Sequence, residues 1–220
     1  MNNISWKVRR LSVMALLVAI AFILSLIRIP VVLFLEFEAK DSILAISGFT
    51  LGPVAGLCTS IATALLEFFL NGASSDTGLY GLLMNIVSSC LFVGIASAFY
   101  HKKRTLTGAI LGLILGSIAM TAGMLLWDYL IIPLYMTHVS RAAVVPLLWT
   151  AFLPFNLLKG AMNAALAMLL YKPLSASLRR AKLPPPAESA QAKARYAVWI
   201  ATFFVLVTLS LIMLVWSGII

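Results

Sequence analysis

The sequence predicts an all-α integral membrane protein: a six-helix bundle followed by an additional C-terminal transmembrane helix. Three observations carry this. The chain is 62% hydrophobic and only 10% charged. Its mean hydropathy is +1.05, far from the profile of a water-soluble domain. Its apolar runs reach the roughly 20 residues that cross a bilayer as helix, and its basic residues sit in short flanks between those runs. The net charge of +9 therefore reads as membrane topology rather than as a nucleic-acid surface.

The first span covers about residues 11–27, after Lys7, Arg9 and Arg10. A cleaved secretory signal would end in a small-residue site. Here Arg28-Ile29-Pro30 follows instead, so the span is expected to stay. After Val31–Lys40 comes a short apolar segment, 42–52, broken at Gly52-Pro53. The run then continues to about 71. Proline restricts its predecessor and brings no amide donor, so these read as two spans joined by a tight turn. A fourth span covers 79–100 and stops at His101-Lys102-Lys103-Arg104. A fifth covers 106–136 with Pro133 as an expected kink, and a sixth covers 147–171 up to Lys172. Residues 1–182 thus form the six-span bundle, 183–195 a Pro/Ala-rich cytoplasmic linker, and 196–220 the additional span.

Charge bias sets the orientation. With the N-terminus inside, twelve lysines and arginines fall on inner segments. Only Arg28, Lys40 and Arg141 fall on outer ones. Glu36, Glu38 and Asp41 are placed in the first outer loop.

Lys159 is the most informative residue, because a lysine at membrane depth costs about 3 kcal/mol even on lenient scales. Positions three, four and seven apart share a helix face. Asn156, Lys159 and Asn163 therefore make one polar stripe. Ser60, Thr63, Glu67 and Asn71 make a second, and Thr121, Asp128 and Tyr135 a third; Asn85 lies in the fourth span. Such groups turn inward and find partners. Two readings follow: Glu67 or Asp128 neutralises Lys159 in a structural pair, or the stripes line a ligand cavity. A cation beside an amide suits a ligand carbonyl or ring nitrogen, which favours the cavity for Asn156 and Lys159. Trp127, Tyr129, Trp149 and Tyr135 are either interfacial belt residues or stacking partners. Gly108, Gly112 and Gly116 recur every four residues as a close-packing face, and Ala15 with Ala19 makes a smaller one.

Cys58 and Cys90 both lie in apolar stretches and read as small core residues. No zinc or other metal spacing is present. Nor is there a nucleotide-binding Gly-rich Lys-Ser/Thr loop, a His-Glu-x-x-His or a Gly-x-Ser-x-Gly motif. No catalytic constellation is expected and no resident cofactor. A membrane assembly protein whose stripes only join helices is the rival from another class.

In order and spacing, several fragments resemble the substrate-binding S components of energy-coupling factor (ECF) vitamin transporters, above all the riboflavin-specific type. They are Met14-Ala15-Leu16-Leu17-Val18-Ala19-Ile20-Ala21, Gly48-Phe49-Thr50-Leu51-Gly52-Pro53-Val54-Ala55-Gly56, and Gly108-Ala109-Ile110-Leu111-Gly112. Asp128-Tyr129 with Ile132-Pro133-Leu134-Tyr135 follows, then Pro154-Phe155-Asn156-Leu157-Leu158-Lys159-Gly160. The similarity spans roughly residues 8–180. It implies a six-helix bundle in the cell membrane that binds a vitamin from the outer side. It implies as partners a transmembrane coupling subunit, docking at Ala15 and Ala19, and two ATP-binding cassette ATPases. It places Asn156 and Lys159 against the isoalloxazine ring system and Asn85 at a polar position of the site. Asn163, Asp128, Glu67, Asp41 and Tyr135 complete the expected ligand set. The chain departs from the riboflavin type in two places. Asp128 stands where Asn is expected, and Ser60, Thr63 and Ala64 stand where a Glu, Lys, Asn pattern is expected, with Glu67 one turn on. Riboflavin or a related flavin is the expected ligand, with folate or pantothenate as the alternative vitamins.

Overall fold

The computed structural model describes residues 3–32, 35–72, 78–136 and 139–180. The expected linker and additional C-terminal span lie outside the described residues. So do the side chains of Asn71 and Tyr135. Helix α1 spans Asn3–Ser25, α2 Lys40–Leu51, α3 Pro53–Glu67, α4 Gly78–Lys102 and α5 Leu106–Tyr135. A short α6, Arg141–Leu147, passes through a π-helical turn at Leu148–Phe152 into α7, Leu153–Arg180. Among the described residues, five segments are long and apolar enough to cross a membrane: Trp6–Ser25, Pro53–Leu70, Gly78–Lys102, Leu106–Leu134 and Arg141–Tyr171. The last is longer than the 147–171 expected, because Ser140 caps α6 by accepting from the Ala143 amide.

α2 is the shortest helix of the expected six-helix bundle, running from Lys40 at the Glu38 and Glu67 end to Leu51 at the Arg10 end. Its 12 residues rise only about 18 Å, short of the roughly 30 Å hydrocarbon core. Eleven of them are buried, since α1, α3, α4 and α7 all pack against it. α2 is the bundle's axial post rather than a lipid-facing span. Gly52, at φ 103°, makes the turn into α3, a left-handed conformation that favours glycine. Pro53 then opens α3 at its first turn, where no amide donor is required.

The small residues set how closely helices approach. A Cβ on Gly112 would lie 2.6 Å from Ala96 O, and one on Gly116 2.6 Å from Phe92 O. The every-fourth glycine face of α5 is thus spent on α4, within the chain. Cys90 is buried as expected, but Cys58 is exposed; it sits on the outward side of α3, where the apolar surround is the bilayer rather than the core. Ala15 and Ala19 also face outward on α1, the least buried of the five candidate spans.

The ends of the bundle differ. At one end Arg10 Nη2 donates to Leu51 O at 2.9 Å, His101 Nε2 meets Gly48 O at 3.1 Å, and Tyr100 and Tyr171 share a 2.6 Å hydroxyl contact. This end carries Lys102, Lys103 and Arg104. At the other end the expected first outer loop is an antiparallel hairpin, β1 (Ile29–Val32) paired with β2 (Leu35–Phe37). Its strands are too short and irregular in pattern to announce themselves in the sequence.

Candidate functional site

Beneath the hairpin lies a cavity of about 280 Å³, at the small end of pockets that take drug-sized molecules. Its apolar walls include Met84, Met124, Ile132, Phe68, Phe152 and Phe155, and its roof is Arg28, Leu35, Glu36 and Glu38. Five expected ligand residues line it: Glu67 on α3, Asn85 on α4, Asp128 on α5, and Asn156 and Lys159 on α7. The helical stripes therefore do converge.

Asn156 spends one amide proton on Phe152 O at 2.9 Å, which leaves its second proton and Oδ1. Asp128 is 6% exposed and has no hydrogen bond or ion pair among the described residues. No carboxylate lies within 4.0 Å of Lys159 among the described residues either, so the structural pair of Lys159 with Glu67 or Asp128 does not form. Glu67 is instead engaged by Lys40, whose Nζ lies 2.6 Å from Glu67 Oε2 and 2.6 Å from Glu38 Oε2.

That pairing corrects the placing of Lys40 and Asp41 in an outer loop. Lys40 is 1% exposed and Asp41 1%. The bundle takes in these charges because each finds a partner: Lys40 its two carboxylates, and Asp41 Oδ1 the Ser89 hydroxyl at 2.6 Å. Asp41 does not line the cavity. Asn163 does not either. Its Oδ1 accepts from the Ser42 amide at 3.0 Å, and its Nδ2 donates to Glu38 O and Lys159 O at 3.1 Å. It pins the hairpin-to-α2 corner onto α7. Ser60, Thr63 and Thr121 return their hydroxyls to their own helices, at Gly56 O, Thr59 O and Ser117 O. Trp127 packs on the core, Trp149 is 68% exposed, and neither they nor Tyr129 line the cavity; its aromatic surface is phenylalanine.

The hairpin is tied down by charge. Arg28 reaches Glu36 at 3.6 Å and Glu38 at 3.5 Å. Burial pushes the Glu38 carboxyl up, but the Lys40 ammonium first, and then Lys159 and Arg28, outweigh it and hold it below the usual carboxylate range. Sequence reasoning missed Lys40, Arg28 and Ser88 as parts of this region. Ser88 was findable, three residues after Asn85 on the same face of α4.

Fold and cavity together define a membrane-embedded small-molecule binding protein, its pocket walled by helices and roofed by a hairpin. Residues 9–171 match the family described as ECF transporter, substrate-specific component, and the chain belongs to that family. It is similar to the riboflavin transporter RibU of Staphylococcus aureus (strain TCH60), 31% identical over 182 residues, 78% of this chain and 93% of that one. The riboflavin transporter FmnP of Bacillus subtilis (strain 168) is 28% identical over 176 residues, 75% of this chain and 91% of that one. The RibU of Streptococcus thermophilus is 30% identical over 188 residues, 80% of this chain and 88% of that one. A solved structure described as "Structure and mechanism of the S component of a bacterial ECF transporter" superposes with a TM-score of 0.65 at 29% identity. It covers 78% of this chain and 98% of the other.

Proposed function

We propose that this chain captures riboflavin and carries it across the plasma membrane as the substrate-specific subunit of an ECF importer. The observation that carries the reading is the trio Asp128, Asn156 and Lys159, none of them in an ion pair among the described residues, around one slot walled by phenylalanine and methionine. The pyrimidine edge of isoalloxazine alternates carbonyl oxygens with a ring N–H. Lys159 and the second Asn156 amide proton supply donors for the carbonyls, and the Asp128 carboxylate supplies an acceptor for the N–H. The apolar walls take the dimethylbenzene side. Partner ATPases and a coupling subunit supply the energy, with the exposed Ala15 and Ala19 patch as the docking face. The charge bias supports a cytoplasmic N-terminus, which places the hairpin and cavity at the outer surface.

The test is direct. Protein purified without added ligand should show flavin absorbance or shift its melting temperature on adding riboflavin. Lys159→Ala should weaken binding by more than about tenfold. A colourless protein that does not respond to riboflavin would refute the choice of ligand, and unchanged affinity in the variant would remove Lys159 from the site.

A further inference from the structure

The Asp128 carboxylate satisfies only part of a flavin edge. Asp128 lines the cavity and is 6% exposed, and neither of its oxygens has a hydrogen bond or ion pair among the described residues. On the α7 wall, Asn156 gives one amide proton to Phe152 O at 2.9 Å, and its Oδ1 accepts nothing among the described residues. Lys159 stands one turn along the same helix and lines the same cavity. Desolvated acceptors without partners are costly, so the best-matched ligand brings a donor to each of them.

The flavin edge brings one donor. Its ring N–H stands between two carbonyls, so when one Asp128 oxygen accepts that N–H the other faces a carbonyl oxygen. An amide in place of the carboxylate would match this edge better, because it sets a donor beside an acceptor. A carboxylate sets two acceptors side by side and suits two parallel N–H groups, as in the fork that a guanidinium offers. The edge of a 2-amino-4-oxopteridine has that form: a ring N–H beside an amino group, with a carbonyl on the far side.

We propose that the site takes a second class of ligand, a neutral pterin, and that Asp128 is the residue that selects it. Its two oxygens accept the ring N–H and one amino proton. Asn156 Oδ1 accepts the other amino proton, and Lys159 donates to the carbonyl. The phenylalanine and methionine walls take the faces of the two rings, as they would those of a flavin. Charge favours a ligand without an acidic tail. Arg28, Lys40 and Lys159 are offset by four carboxylates, Asp128 and the three glutamates of the roof and α3 wall, so no surplus positive charge faces the cavity among the described residues. The proposal uses the same cavity as the riboflavin reading but does not depend on riboflavin being its ligand.

The experiment titrates the purified full-length chain with pterin, lumazine and riboflavin, and quenching of each compound's own fluorescence reports its affinity. Lumazine has the two rings of pterin with a carbonyl in place of the amino group, so the pair isolates the edge from ring size. Wild type should bind pterin at least about tenfold more tightly than lumazine. Asp128→Asn should narrow that ratio severalfold or invert it. Asp128→Ala, which offers no hydrogen-bonding group, should abolish the preference if the amide variant does not fold. Equal wild-type affinity for the two pteridines, or a preference for lumazine, would overturn the proposal. A ratio that survives both substitutions would remove Asp128 as the selecting residue. If riboflavin binds and neither pteridine does, the second ligand class is refuted and the riboflavin reading stands. If pterin binds and riboflavin does not, the pterin proposal is upheld and the riboflavin reading fails.

Discussion

Replacing Lys40 by Met keeps the aliphatic stem and deletes the ammonium, and this substitution probes the ionic centre of the molecule. Lys40 is 1% exposed, with Glu38 Oε2 and Glu67 Oε2 each at 2.6 Å. Without it two buried carboxylates are left facing one another. Removing one partner of a buried ion pair costs about 3–5 kcal/mol. Here Arg28 still reaches Glu38 at 3.5 Å and Asn85 still donates to Glu67 at 3.3 Å, so the lower end of that range, about 3 kcal/mol, is expected. The assay is thermal unfolding in detergent, with Lys40→Met/Glu38→Gln/Glu67→Gln as the control. The triple variant removes all three charges and should recover most of the loss, because a neutral buried cluster carries no desolvation cost of ions. A single variant that melts within about 1 kcal/mol of wild type would refute the burial of this triad, as would a triple variant no more stable than the single one.

Three further outcomes follow from the geometry. Glu38 has a folded pKa held below its ordinary value of 4.5, so its contribution to stability is full above pH 4.5 and is lost as pH falls through the lower folded value. A melting-temperature profile should show this acid-side decline, and Glu38→Gln should flatten it. Gly112→Leu should destabilise the α4–α5 contact by about 1–3 kcal/mol or more, since even a Cβ would meet Ala96 O at 2.6 Å; an unchanged melting temperature would show that the helices separate freely. Ala15→Trp or Ala19→Trp should abolish uptake by cells while leaving ligand affinity intact, and surviving uptake would remove α1 as the docking face.

Much of the bundle was legible because its signals are local. Apolar run length, the Gly52-Pro53 break and the basic flanks each depend on adjacent residues, and the main spans follow from them. The site was legible where helical spacing suffices: Asn156 and Lys159 lie one turn apart and share the cavity. The same rule overreached at Asn163, seven residues from Asn156 and so about 10 Å deeper along the helix. At that depth Ser42 and the Glu38 carbonyl have already closed the space. Lys40 was illegible for the opposite reason. At the edge of an apolar run it looks like a topology charge, and only Glu67, 27 residues away, reveals it as buried. That protein rather than lipid walls α2 was not legible, because composition reports burial without saying which of the two does the burying.

Two lysines at the same end of one bundle thus sit in different settings, and the difference is measurable. Lys40 is neutralised twice over within the fold, so its energy is already committed to holding the hairpin corner against α3. Lys159 has no such carboxylate among the described residues, although it lines the same cavity. A cation that acts on Glu38 only at a distance contributes less to the unliganded fold than Lys40 does, and has more to gain on binding. Lys159→Ala should therefore lower the ligand-free melting temperature far less than Lys40→Met does, while it weakens flavin binding. Lys40→Met should lower the ligand-free melting temperature first, with affinity following from the loosened hairpin. If Lys159→Ala unfolds the unliganded protein as severely as Lys40→Met does, then Lys159 is a structural charge and the ligand loses its principal donor.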